Sequence, residues 1–193
     1  MDISNQENNI WFTSDFHFGH DKEFLYQPRG FWYIWQHDNE IIYDWNKIVK
    51  PNDEVYILGD LMLQDNMHGY SCIHQLNGIK HIIIGNHDTK ERIEMYKAMR
   101  NVVEVVYATQ ISYGKYHFFL SHYPTLIDNL NRGRKNFNLH GHTHSKDKFQ
   151  FIDHCCYNVA LDAHDNKPVS INTIIQDIQQ YRQEHNNEQK TKK

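Results

Sequence analysis

Short apolar runs alternate with amphipathic stretches through the first hundred residues. Ile10-Trp11-Phe12-Thr13-Ser14, Glu54-Val55-Tyr56-Ile57-Leu58 and Lys80 to Ile84 are apolar and β-prone. Between the first two, Ile34, Ile41, Ile42, Trp45, Ile48 and Val49 recur at helical spacing. Pro51 disfavours helical geometry at Lys50 and ends that helix. A helix is expected near Gly69 to Leu76. Another runs from about Thr89 to Met99, with Thr89 or Asp88 as its cap. This β-α-β-α-β-α order argues for parallel strands with right-handed crossovers. The pattern then changes. Val102 to Tyr107, Gln110 to Tyr113 and Tyr116 to Leu120 are strands joined by short links, a hairpin pattern that suggests a second, mostly antiparallel sheet. Phe137 to Leu139 and Cys155 to Ala160 read as two more strands. Pro168 precedes a last helix, with Ser170 as N-cap and Val169 opposite Ile174 as a staple.

A chain of 193 residues fits one domain with a sizeable core. We expect that domain to span 1–185, with 186–193 a polar, frayed tail. The net charge of −4 gives no basic surplus, which argues against long nucleic acid as the main partner. The three cysteines, Cys72, Cys155 and Cys156, show no C-x-x-C spacing, and adjacent residues of a strand face opposite sides. They read as reduced, small apolar residues of a cytoplasmic protein. The N-terminus carries no apolar signal core, and no apolar run approaches the length of a membrane span.

Five short segments carry metal-ligand residues, each after a predicted strand. They are Asp15-Phe16-His17, Gly59-Asp60, Gly85-Asn86-His87-Asp88, Ser121-His122 and Gly141-His142-Thr143-His144. Carboxylate, amide oxygen and imidazole without thiolate suit divalent ions such as Mn²⁺, Fe²⁺ or Zn²⁺ and differ from a structural zinc finger. In D-x-H and H-x-H on strand ends, the two ligands share a face. Gly59, Gly85 and Gly141 are placed to let the backbone turn tightly beside the site.

The set and its order resemble the calcineurin-like metallophosphoesterases, whose pattern runs D-x-H, G-D, G-N-H-D/E, H, G-H-x-H. No motif is missing, and the span from Asp15 to His144 covers most of the chain. The resemblance implies an α/β fold of two mixed β-sheets packed face to face and flanked by helices, a four-layer α/β/β/α sandwich. It implies two divalent ions, Mn²⁺ foremost, with Fe²⁺, Ni²⁺ or Zn²⁺ as alternatives. One ion would be held by Asp15, His17, Asp60 and His144. The other would be held by Asp60, Asn86, His122 and His142, with Asp60 bridging. The expected activity is hydrolysis of a phosphate ester by a hydroxide activated at that centre. His87 is adjacent to a ligand without being one. Its implied role is to stabilise developing charge or protonate the leaving oxygen. Asp88 either orients His87 or caps the following helix.

A small domain without a cap favours a phosphodiesterase on a small, nucleotide-like substrate. A phosphomonoesterase is the alternative, and a non-catalytic scaffold that recruits proteins is a third class. The intact ligand set and His87 argue against the scaffold. Beside the donors, His20 reads as a substrate-phosphate contact more than a surface residue, with Asn86 and His87 as the other substrate-binding candidates. Tyr123 and Pro124 could line the cleft. His140 reads as packed, and His81 and His117 as surface residues. Arg132 and Arg134 read as a solvated loop more than a phosphate clamp. The group Phe31-Trp32-Tyr33-Ile34-Trp35 reads as core packing more than a base-stacking platform.

Overall fold

The computed structural model describes residues 2–4, 9–127, 135–150 and 155–191. The first sheet has the order β10-β1-β2-β3-β4. Its strands are β1 (Ile10–Thr13), β2 (Glu54–Leu58), β3 (Ile79–Ile83), β4 (Val102–Val106) and β10 (Val169–Ser170). β1 to β4 pair in parallel and β10 adds antiparallel to β1. The second sheet has the order β5-β6-β7-β9-β8, built from β5 (Ala108–Tyr113), β6 (Tyr116–Ser121), β7 (Lys135–His140), β8 (Phe149–Gln150) and β9 (Cys156–Asn158).

Two expectations about the second half are corrected. β4 and β5 do not form a hairpin: only Tyr107 separates them, and there the chain crosses from one sheet to the other. The second sheet is mixed, because β6–β7 and β7–β9 are parallel while β5–β6 and β8–β9 are antiparallel. The stretch of sequence between Ser121 and Lys135 is long enough to return the chain for a parallel pairing, which a hairpin link is not.

The alternation along each strand splits the core in two. Val55 and Ile57 face the helical side, where they pack with Ile41, Trp45, Ile73 and Tyr96. Phe12, Tyr56, Leu58 and Ile83 face the other sheet, meeting Phe118, Leu120, Phe137 and Leu139. Strands buried on both faces read as continuous apolar runs, as β2 does. The helices are α1 (Glu23–Tyr26), α2 (Ile34–Ile48), α3 (Asn66–Gln75), α4 (Lys90–Lys97) and α5 (Ile171–Thr191). Asp65 caps α3 and Thr89 caps α4, each accepting a backbone N–H of the first turn. Ser170 Oγ accepts the Thr173 N–H at 3.1 Å and starts α5 as expected. α5 turns Ile174 and Ile178 into the core between the sheets, and its backbone continues through most of the segment expected to fray.

The aromatic group at the start of α2 is not core. Phe31 is buried, but Trp32, Tyr33 and Trp35 are 76%, 59% and 61% exposed. The buried stripe of α2 begins later, at His37, Asp38, Ile41, Ile42 and Trp45. Among the described residues no helix is long and apolar enough to cross a membrane. Arg132 and Arg134 lie outside the described residues.

Candidate metal centre

The donors stand at the C-terminal ends of parallel strands, where open α/β sheets place their ligands. Asp15 and His17 follow β1, Asp60 follows β2 and Asn86 follows β3. His122 follows β6, and His142 and His144 follow β7. The pairing of β1 with β2 continues into the loops: Asp15 N–H donates to Gly59 O and His17 N–H to Asp60 O, both at 3.0 Å. That continuation brings the first two motifs together.

Five of the seven residues adopt a left-handed backbone: Asp15 (φ 60°), His17 (52°), Asp60 (57°), His142 (68°) and His144 (49°). A non-glycine residue there costs on the order of 1–3 kcal/mol, and such positions cluster at functional sites. The glycines serve two different ends. Gly59 has φ +92° and turns the chain as expected, and a Cβ there would also stand 2.6 Å from His122 Nδ1. Gly85 has no positive φ. Its missing side chain leaves room for the Asp60 carboxylate, which a Cβ would overlap.

The side chains converge. Nε2 of His17 is 3.2 Å from Nε2 of His144 and 3.8 Å from the Asp60 carboxylate. Nε2 of His122 is 2.8 Å from Oδ1 of Asn86 and 3.5 Å from Asp60 Oδ2. The His142 ring lies 5.0 Å from that of His122, and its backbone N–H donates to Asp15 Oδ2. Asp60 therefore sits between two groups of donors.

Several features fit cations at these groups. Asp15 Oδ1 is buried and has no hydrogen-bond partner among the described residues. Burial pushes the Asp60 carboxyl up to about 6, and the Asp15 and Asp88 charges add to this against the His122 ring and the His87 amide. Burial also holds His17 well below the usual imidazole range, with the nearby His144 and Arg29 charges adding, which favours the neutral ring a cation would need. His142 is lowered by burial as well.

Residues around the donors fix their orientation. His122 donates Nδ1–H to Leu58 O at 2.8 Å, which leaves Nε2 for the cleft. Nδ1 of His144 is 3.0 Å from Asp162 Oδ2. Burial alone would lower His144, but Asp162 and Asp15 together raise it. Arg29 grips both oxygens of Asp162, at 3.0 and 2.8 Å, and donates to the backbone carbonyls of Asp15 and Phe16. Sequence reading missed this brace. Arg29 and Asp162 belong to no motif and stand 133 residues apart.

Asp88 departs from both expectations for it. Thr89, not Asp88, caps α4. Asp88 is buried beneath the loop, where Oδ2 accepts the N–H groups of Gly85 and Asp60 at 2.7 and 2.9 Å. Its Oδ1 accepts from the Tyr96 hydroxyl at 2.8 Å. It ties the G-D and G-N-H-D loops together, and no hydrogen bond among the described residues joins it to the His87 ring.

His87 stands beside the ligand residues, its ring 5.5 Å from that of His17. Its ring is 44% exposed, with Nε2 4.0 Å from Asp60 Oδ2. Its N–H donates to Asp60 Oδ1, and its carbonyl accepts from Arg92, which also binds Asn66. A pocket of about 400 Å³ opens beside it, lined by His17, His20, Phe24, Leu63, His87 and His144. Burial lowers His20, and its ring meets Phe24 edge-on at 5.6 Å. Tyr123 packs against the rings of His122 and His142 at the other side of the cleft. His140 is buried and His117 exposed as expected; His81 is half-buried between Glu54 and Glu104.

The chain has the two mixed sheets expected from the resemblance stated above, with the ordered motif residues at their strand ends. Sequence similarity places the chain more closely. It is 31% identical over 176 residues to the uncharacterized protein MJ1445 of Methanocaldococcus jannaschii, covering 88% of this chain and 91% of that one. It is 30% identical over 164 residues to the Gene 66 protein of Mycobacterium phage L5, covering 72% and 78%. The chain belongs to the family of these two proteins. Among solved structures it shares the fold of AQ665 from Aquifex aeolicus, a protein of unknown function. The TM-score is 0.64 at 23% identity, over 88% of this chain and 99% of that one. No protein-family model matches the chain.

Proposed function

We propose that this protein is a metal-dependent phosphodiesterase acting on a small, nucleotide-like phosphate ester. The observation that carries the reading is the convergence of six donors on a seventh, Asp60, with His87 beside them from outside the donor set. Asp15, His17, Asp60 and His144 would hold one ion, and Asp60, Asn86, His122 and His142 the other. The donors suit Mn²⁺, with Fe²⁺, Ni²⁺ and Zn²⁺ as alternatives. When bound, the two ions supply Lewis acidity and an activated water for attack at phosphorus.

The chain's own groups divide the remaining work. Asn86 and His20 contact the phosphoryl oxygens. His87 stabilises charge on the leaving oxygen or delivers a proton to it from Nε2. Asp88 acts through the backbone it holds. The pocket beside His87 has Phe24, Leu63 and Leu25 in its wall, which suits a planar leaving group with an apolar face.

A diester is favoured over a monoester by charge. Arg29 is bound to Asp162 and Arg92 to Asn66 and the His87 carbonyl, so neither is left to clamp a second phosphate charge. A scaffold would not need seven donors, five of them on a strained backbone. The cytoplasmic location and the single domain over 1–185 belong to the same reading.

The test is hydrolysis after chelation, with Mn²⁺, Fe²⁺, Ni²⁺, Mg²⁺ and Zn²⁺ restored separately. A diester and a monoester of one leaving group are compared. Metal-restored turnover faster on the diester supports the reading. Faster turnover on the monoester reverses the substrate assignment, and no turnover with any ion removes the enzyme.

A further inference from the structure

Outside the cleft, the described residues bring one more set of donors within reach of a single cation. Asp38 lies on α2. His68 and Cys72 lie on α3, four residues apart, so that helix presents both on one face. One atom from each of the three lies within 4.8 Å of the others. Nε2 of His68 is 2.8 Å from Asp38 Oδ2 and 3.4 Å from Cys72 Sγ. The same spacing occurs between donors in the cleft: 2.8 Å from His122 to Asn86 and 3.2 Å from His17 to His144.

We propose that Asp38, His68 and Cys72 form a separate binding site for a thiophilic divalent cation, for which zinc is the best match. Carboxylate, imidazole and thiolate are all zinc ligands, and the sulfur selects against Mg²⁺ and Ca²⁺. Burial and access are both provided. Asp38 and Cys72 are 1% and 3% exposed, whereas the His68 side chain is 44% exposed and leaves a solvent side for entry and for a water ligand.

The buried Asp38 carboxylate is short of a permanent cation. Among the described residues its ion-pairing partners are His37 and His68, with no lysine or arginine. His37 donates Nδ1–H to Asp38 Oδ1 at 2.7 Å, the outer hydrogen bond that orients a ligating carboxylate. Binding transfers the Cys72 thiol proton to solvent and takes His68 as the neutral imidazole, so two ligand charges balance the cation.

The site also reaches the cleft. Asp38 Oδ2 accepts the Gly19 N–H at 3.0 Å, and the next residue is His20 in the pocket beside His87. A cation on Asp38 fixes the loop that presents His20.

Cobalt titration of the full chain tests this. A Co²⁺–thiolate bond gives a sulfur-to-metal charge-transfer band in the near ultraviolet, and the cleft holds no thiol to produce one. The wild type should show the band, and added Zn²⁺ should abolish it. Cys72→Ser should lose it. His68→Ala, at a half-exposed position that leaves the core intact, should lose it too. The double variant Cys155→Ser/Cys156→Ser should keep it. Absence of the band in the wild type, or its persistence in Cys72→Ser, overturns the site. The readout is independent of phosphoesterase activity, so the two proposals fail separately.

Discussion

Asp60, at the centre of the cleft, and Asp162, at its edge, are two buried or nearly buried carboxylates that hold protons in opposite ways. Burial would raise Asp162, yet the hydrogen bonds from His144 and Arg29 hold it well below the usual carboxylate range. Asp60 is pushed up to about 6 by burial, with His122 offsetting only part of this. The difference is a cation. The Arg29 guanidinium sits on both oxygens of Asp162. No lysine or arginine is ion-paired with Asp15 or Asp60 among the described residues. The brace around the cleft is electrostatically complete within the chain, and the cleft is not. That contrast is what a preformed site for divalent ions requires, since a protein cation at Asp60 would compete with the metal.

The largest effect should come from removing the charge at the centre. Asp60→Asn is expected to abolish hydrolysis chiefly by losing metal, because a neutral amide cannot offset the repulsion of two dications. Metal content per chain after dialysis is the measurement, and two ions retained at wild-type affinity would break the comparison. His87→Ala should retain its metal and lose turnover by roughly 10²–10⁴-fold, the scale of a general acid or charge-stabilising donor. The loss should shrink for a substrate with a good leaving group. Equal losses for good and poor leaving groups would argue for charge stabilisation alone. Asp162→Asn acts one step further out. It should weaken metal binding by about 10–100-fold, the range for partners that orient a ligand. The weakening should fall on the ion held by His144, so a titration should separate into two phases. A single unchanged phase would mean that the brace serves the fold and not the site.

The residues that converge in the cleft were legible from the sequence because each occupies a motif at a strand end, where local chemistry and spacing repeat. The first sheet was legible for a related reason: β1, β2 and β3 are apolar runs separated by amphipathic helices. The second sheet was less so. The single residue between β4 and β5 resembles a hairpin link, and nothing local tells the chain to change sheets there. Arg29 and Asp162 left no trace, because a contact across 133 residues has no periodicity. Asp88 misled for a different reason. Its position before a helix favours a cap, whereas the fold turns its carboxylate inward to three donors. The exposed Trp32, Tyr33 and Trp35 misled because their composition is that of a core while their register places them ahead of the buried stripe of α2.

The smallest effect separates the two carboxylates by pH in the chelated protein. Asp60 has a folded pKa of about 6, above its ordinary value of 3.8. Between those values the folded state binds the proton more tightly than the unfolded state. The contribution of Asp60 to stability is therefore present below pH 4 and is lost as the pH rises through 6. Its size is on the order of 3 kcal/mol at most. Asp162, with its pKa depressed, behaves in the reverse sense: its contribution is present above pH 4 and is lost as the pH falls below that. Within the pH 4 to 6 window, Asp60 should thus give metal-free protein a falling share of stability, one that Asp60→Asn removes and Asp162→Asn leaves in place. Urea unfolding of the three chelated proteins across that window is the measurement. Restoring Mn²⁺ should reverse the slope of the wild type, because the metal displaces the proton and binds more tightly as pH rises. If chelated wild type and Asp60→Asn run parallel from pH 4 to 6, the cleft is not short of charge, and the contrast with the Arg29–Asp162 brace fails.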